Sequence, residues 1–244
     1  MKIEVNNLVK KFKNTIVVNN INFTVNRNKT LGLLGPNGCG KTTSIGMMLG
    51  LIKPTSGEVL IDGSNINNID RYKILNKINF ASPYIELPKK LTVRENLEIY
   101  ARLYGVLNFK KRISEISKDL NFKSFLDKKT GELSSGQKNR VSLAKSLINE
   151  PKLLFLDEPT ASLDPDVGDF VREYIEDYKA NNEVTVLLAS HNMKEVERLC
   201  DSVVMMKAGK IVDNGTCESL IKKHGRENLE DAFLKIARSK DEVA

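Results

Sequence analysis

Tryptophan is absent from this chain of 244 residues, and there are two histidines, three cysteines and one glutamine. Each scarcity excludes something. Cys39, Cys200 and Cys217 form no CxxC pair, and with only His191 and His224 beside them they make neither a zinc site nor a disulfide framework. That usage fits a reducing compartment. No apolar run approaches the ~20 residues that a membrane-spanning helix needs. The longest candidates, 153–156 and 184–189, have the length of buried strands. Residues 1–11 carry charge with no apolar stretch behind them, so no signal peptide is expected and the chain is placed on the cytosolic side. Repeats, low-complexity tracts and Ser/Gly linkers are also missing.

What is present is ordinary for a packed α/β globule: 41% apolar residues, 28% charged residues and 7 prolines. The length allows one large domain or two small ones. Lysine and arginine outnumber the acids 38 to 31, for a net charge of +7. The excess is scattered rather than gathered into a stripe, and it accompanies 24 Asn and many Lys and Ile, a bias expected of an A/T-rich coding genome. No nucleic-acid partner is expected on this ground.

Short β-branched runs open the chain at 3–9, 16–18, 21–25 and 30–34, separated by Asn- and Lys-rich turns. A Gly-rich turn then leads into a helix at 42–51, and 57–62 reads as another strand. From Val93 to Ile148 the apolar period becomes helical, as at Leu97, Tyr100, Ala101 and Tyr104. Strands return at 153–156 and 184–189 around a helix at 167–178. Strand, helix, strand argues for a right-handed crossover and a parallel sheet. The chain thus reads as an α/β core interrupted by a helical insert.

Gly35-Pro36-Asn37-Gly38-Cys39-Gly40-Lys41-Thr42-Thr43 contains G-x-x-x-x-G-K-[ST] between a predicted strand and a predicted helix. Glycines let the backbone turn its N–H groups toward an anion, and the following helix aims its positive end at the same point. Lys41 is placed to reach the β- and γ-phosphates of a nucleoside triphosphate, and the Thr42 hydroxyl to hold Mg²⁺. Cys39 reads as filler of a small-residue slot. Farther on, four apolar residues run into Asp157 and Glu158, where a strand ends and ligands bind in open α/β sheets. Asp157 is expected to hold Mg²⁺ through water. Glu158, one residue later and so on the other side of the strand, is expected to polarise a water for attack on the γ-phosphorus. His191 leaves the end of the 184–189 strand, within expected reach of that phosphate.

Between these segments, the turn Ser134-Ser135-Gly136-Gln137 opens a helix at 137–148, a second anion site at a helix N-terminus. Two such ends exceed what one nucleotide needs. With this signature-like turn, Leu-Asp-Glu-Pro-Thr at 156–160 and the downstream His191, the chain from Met1 to about Ala237 resembles the ATP-binding subunit of an ABC transporter. The resemblance implies a P-loop NTPase (RecA-like) parallel-sheet core with an N-terminal antiparallel β subdomain and an inserted α-helical subdomain. A single domain over 1–244 is expected, with core segments at about 1–88 and 151–225, the insert at 89–150 and a closing helix at 226–240. It also implies a head-to-tail dimer, of two identical chains or of paired ATPase subunits, holding two ATP molecules with Mg²⁺. Each ATP would touch 35–43 of one protomer and 134–137 of the other. Asp164 matches the family's D-loop, and Phe12 stands where an aromatic stacks on adenine.

Three features qualify the resemblance. Ser135 replaces the usual first glycine of the signature, at little cost unless a positive φ is needed there. The family's Gln after the third core strand is missing: Ser82 or Pro83 occupies its place, and slower hydrolysis or altered coupling is expected. The tail at 227–237 resembles the ending of ABC-2-type export ATPases, where the plain alternative is an amphipathic closing helix. The expected activity is ATP hydrolysis powering transport, export rather than import. A membrane-spanning permease on a separate chain would dock near 82–96, with this subunit peripheral on the cytoplasmic face of the membrane. A cytosolic ABC ATPase and a slow regulatory ATP-binding module are the alternatives.

Overall fold

The computed structural model describes residues 1–68, 71–82, 86–161 and 163–238. In chain order the elements are β1 (Ile3–Phe12), β2 (Thr15–Val25), β3 (Thr30–Leu34), α1 (Lys41–Met48), β4 (Ser56–Ile61), β5 (Ser64–Asn65), α2 (Tyr72–Leu75) and β6 (Ile78–Ala81). There follow α3 (Val93–Leu103), α4 (Phe109–Asp119), α5 (Ser135–Leu147), β7 (Leu153–Asp157) and α6 (Pro165–Asn181). The last are β8 (Thr185–Ala189), α7 (Met193–Leu199), β9 (Ser202–Lys207), β10 (Lys210–Gly215), α8 (Cys217–His224) and α9 (Leu229–Arg238). They form two compact units, one of Met1–Arg71 with the chain from Thr185 onward, the other of Tyr72–Val184.

In the first unit β2, β1, β4 and β5 lie side by side as an antiparallel sheet. The expected strands at 16–18 and 21–25 are one strand, because the asparagines between them do not turn the chain. Asn20 (φ 53°) sits in β2 and Asn7 (φ 46°) in β1 at register shifts. Asparagine tolerates that left-handed geometry better than most residues, so a bulge forms where a turn is expected. A second set of strands has β3 parallel to β8 on one side and to β9 on the other, with β10 antiparallel on β9. All five residues of β3 and of β8 are buried, the continuous apolar run of a strand covered on both faces. The closing helix packs Leu229, Phe233 and Ile236 onto Leu34, Val196, Val203, Met205 and Leu220.

In the second unit β6 and β7 pair in parallel, Ala81 opposite Leu156. Helix α3 begins with a capping box: Thr92 Oγ1 accepts from the Glu95 N–H at 3.1 Å, and Glu95 Oε2 accepts from the Thr92 N–H at 2.7 Å. It packs on α4 and α5 through the predicted face, where Leu97 and Ala101 are fully buried.

Lys145 of α5 is almost completely buried among neutral groups. Its Nζ donates to the Phe80 carbonyl at 2.9 Å and lies 5.3 Å over the Tyr100 ring. Burial pushes its pKa down to about 8. The unfolded side chain keeps its proton to about pH 10.4, so between about 8 and 10.4 the unfolded chain binds more protons and stability rises with pH. Below that window the folded state carries the whole cost of the buried charge, of order 3 kcal/mol. Lys145→Met is expected to flatten this rise, as measured by urea unfolding at a series of alkaline pH values. Equal slopes in variant and native protein would contradict the assignment.

Candidate functional site

The phosphate loop in the first unit is shaped by what surrounds its backbone. Gly40 has φ +106°, and a Cβ there would lie 2.7 Å from the Val17 carbonyl oxygen, so no other residue fits. Farther round, the Gly209 N–H donates to the Cys39 carbonyl at 3.1 Å, and the Gly209 carbonyl accepts from the Asn19 N–H at 2.8 Å. The loop is thereby tied to β2 and to the turn between β9 and β10. Gly40 offers α1 no side-chain cap, which leaves the first-turn N–H groups of Lys41, Thr42 and Thr43 directed at the loop's concavity. Lys41 Nζ folds back onto the carbonyls of Gly35 (2.6 Å) and Pro36 (3.3 Å). The Cys39 thiol is buried, and burial pushes its pKa up against the lowering effect of Lys41. It is a packed, protonated side chain.

Phe12 ends β1 opposite Thr15 and is 46% exposed, which removes the reading as an ordinary core phenylalanine. Lys10 Nζ sits 4.7 Å from the ring centroid and donates to the Lys53 carbonyl at 2.8 Å. One ring face is therefore backed by a cation, a contact for which the sequence offers no pattern. His191 follows β8 and is exposed. The residues around it are held firmly: Ser190 Oγ donates to Glu195 Oε2 at 2.5 Å and accepts from the Asn192 N–H at 3.1 Å, and Asn192 Oδ1 caps α7. Ser190 and the fully buried Glu195 are the supports that sequence reading misses.

In the second unit the pairing of Ala81 with Leu156 brings the next residues together. Ser82 Oγ lies 3.4 Å from Asp157 Oδ2, and both residues are buried. Pro83 lies outside the described residues. Strand β7 ends at Asp157, so Glu158 is aimed by a left-handed turn (φ 52°) and not by strand alternation. A glutamate held there costs of order 1–3 kcal/mol and persists only where neighbours over-determine it. The Ala161 N–H donates to the Glu158 carbonyl at 3.0 Å, and Asn139 Nδ2 donates to the Pro159 carbonyl at 2.7 Å.

Helix α5 starts at Ser135 with a negative φ, so the serine in the first-glycine place carries no strain. Ser134 caps the helix: its Oγ accepts from the Gln137 N–H at 3.3 Å while Gln137 Oε1 accepts from the Ser134 N–H at 3.1 Å. The chain's one glutamine is thus engaged in a capping box, and a Cβ at Gly136 would meet the Val167 side chain at 3.6 Å, an ordinary contact. Asp164 is an exposed N-cap of α6 whose carboxylate makes no capping bond, with Pro165 at the first helical position. A cleft of about 290 Å³ runs beside α5, lined among others by Ser82, Leu87, Leu133, Ser135 and Lys138.

Residues 18–161 match the ABC transporter family. The chain is 33% identical over 220 residues to the ABC transporter ATP-binding protein NatA of Bacillus subtilis, covering 89% of each. It is 36% identical over 220 residues to the Nod factor export ATP-binding protein I of a Rhizobium strain, covering 88% of this chain and 71% of the relative. Among solved structures, the ATP-binding subunit of an ABC transporter superposes with a TM-score of 0.89 at 25% identity, over 98% of this chain and all of the other. A dimeric ATP-binding cassette in a post-hydrolysis state with ADP and phosphate gives 0.81 at 27% identity, over 88% of this chain and 98% of the other. The chain belongs to the ABC transporter family. It has the P-loop ATPase fold of that family's ATP-binding subunits, and it is an ATPase whose hydrolysis powers transport.

Gly40→Ala tests the loop geometry. It is expected to cost about 1–3 kcal/mol of stability, from strain at positive φ, and to abolish binding of a fluorescent ATP analogue. An unchanged melting temperature with unchanged affinity would contradict it.

Proposed function

We propose that two ATP-binding subunits, copies of this chain or this chain with a paired ATPase, close head to tail around two ATP molecules. Each ATP is held by Gly35–Thr43 of one protomer and Ser134–Gln137 of the other, with Phe12 stacked on adenine and Asp164 reporting across the interface. The observation that carries this reading is the pair of N-termini, of α1 and α5, on one chain. The first lacks a side-chain cap, and in the second the capping box engages the Gln137 N–H and leaves those of Ser135 and Gly136 without an intrahelical partner. Glu158 is the carboxylate proposed to polarise the attacking water, and His191 the side chain that contacts the γ-phosphate. Thr42 and Asp157, with Ser82 beside it, are hard oxygen donors of the kind Mg²⁺ takes, and these are the residues proposed to hold it. When bound, the ion supplies positive charge to the phosphates.

The whole of 1–244 is proposed to act as one ATP-binding domain, with 89–150 as its helical subdomain. No helix among the described residues is long and apolar enough to cross a membrane. The reading includes a membrane-spanning permease on another chain, seated over the cleft between Leu87 and Leu133, with this subunit on the cytoplasmic face; its support is the likeness to ATP-binding subunits of transporters. Export is the proposed direction, supported by the Nod factor export for which the Rhizobium relative is named; helix α9 packs its apolar face on the first unit's core, as a plain closing helix also would.

Glu158→Gln is expected to lower ATP hydrolysis by about 10²-fold or more while ATP still binds. An unchanged rate would leave Glu158 without its role. Ser82→Gln, which restores the family's side chain beside Asp157, is expected to raise turnover severalfold. An unaltered rate would contradict the idea that the serine slows the reaction. Purification from native membranes in mild detergent tests the partnership. A multi-spanning protein in stoichiometric yield is expected, and recovery with cytosolic proteins alone would overturn it.

A further inference from the structure

We propose that Asn139 is a positioning residue for hydrolysis, which links the helix that meets one ATP to the carboxylate that acts on the other. The proposal rests on the roles given above to Ser134–Gln137 and Glu158. Its own basis is a contact that those roles do not use. Asn139 lies in the first turns of α5, just beyond Gln137, and its Nδ2 donates to the Pro159 carbonyl at 2.7 Å. A carbonyl only accepts, so the donor must be the amide nitrogen of Asn139.

Pro159 directly follows Glu158, whose left-handed φ of 52° is an uncommon state for a glutamate. The turn is bounded by the fully buried β7 on one side and by the Ala161 N–H to Glu158 carbonyl bond on the other. Proline allows little φ freedom between them. The Asn139 amide ties this turn to a different element. In this proposal helix α5 moves as one body: its first turn is braced by the Ser134–Gln137 capping box, and two turns beyond Asn139 the Lys145 ammonium holds the Phe80 carbonyl at 2.9 Å. Phe80 lies two residues before Ser82, which contacts Asp157. An anion that settles on the N-terminus of α5 and shifts the helix therefore moves the Pro159 carbonyl, and with it the direction of Glu158. In a head-to-tail pair, occupancy of one site would set the geometry of the other.

Asn139→Leu keeps the side-chain size and removes the donor. Steady-state ATPase assays are expected to show kcat reduced roughly ten-fold, about 1.4 kcal/mol in the barrier, with KM for ATP within about two-fold of native. Asn139→Gln, which retains an amide donor, is expected to recover most of the rate. If the leucine variant does not fold, Asn139→Ser, too short to reach Pro159, carries the same expectation. A kcat within two-fold of native in a folded donor-less variant, while Glu158→Gln is inactive, would overturn the inference and leave the proposed function standing. Parallel changes in KM and kcat with no rescue by glutamine would also overturn it, since that pattern reports general packing damage. Full turnover in Glu158→Gln would overturn both together.

Discussion

A triphosphate concentrates so much charge that only a backbone turned inward on itself can surround it with donors, and here that turn depends on Gly40. At φ +106°, with the Val17 carbonyl 2.7 Å from where a Cβ would stand, the position admits hydrogen and nothing larger. The rest of the first unit serves that constraint. Strand β3, buried along its length, carries the chain to the loop, and α1 leaves it with uncapped N–H groups. The β9–β10 turn holds the loop from behind through Gly209. Lys41 then adds a point charge to a cradle already formed by the main chain.

The second unit places acids by a related economy. Parallel pairing of β6 with β7 brings Ser82 and Asp157 together, and the left-handed turn after β7 aims Glu158 where strand alternation would not. Helix α5 touches both strand ends, through Lys145 to β6 and through Asn139 to the turn after β7. One helix therefore joins the proposed anion site to the strand ends that carry the buried acids. In the proposed cycle the γ-phosphate bonds both protomers and favours the closed pair, whereas ADP bonds one. Differential contact of this kind converts hydrolysis into movement of a membrane partner.

Much of this is legible in the residues. The glycine-rich turn between β3 and α1, the acidic end of β7 and the polar turn before α5 are short-range patterns whose spacing follows from backbone physics, and α5 opens two residues before the expected 137 because Ser134 caps it. Strand periods located β3 and β8 to within a residue, and the helical period from Val93 to Ile148 covers α3, α4 and α5 without dividing them. The parts that escape depend on single polar contacts across the fold. Asn139 to Pro159, Lys145 to Phe80 and Lys10 over Phe12 have no period and no motif. Asn20 misleads for a different reason, because an asparagine that tolerates a turn also tolerates a bulge within a strand. The exposure of Phe12, at the last residue of β1 opposite Thr15, escapes as well, since aromatic residues in a strand read alike on either face.

The central claim is that ATP, and not ADP, joins two of these subunits through the N-termini of α1 and α5. Sedimentation velocity of Glu158→Gln protein in the presence of each nucleotide tests it most directly. A dimer with ATP that reverts to monomer with ADP, and that is lost when Ser135 is replaced by a bulky residue, is the expected result. A sedimentation coefficient indifferent to which nucleotide is bound would contradict the claim.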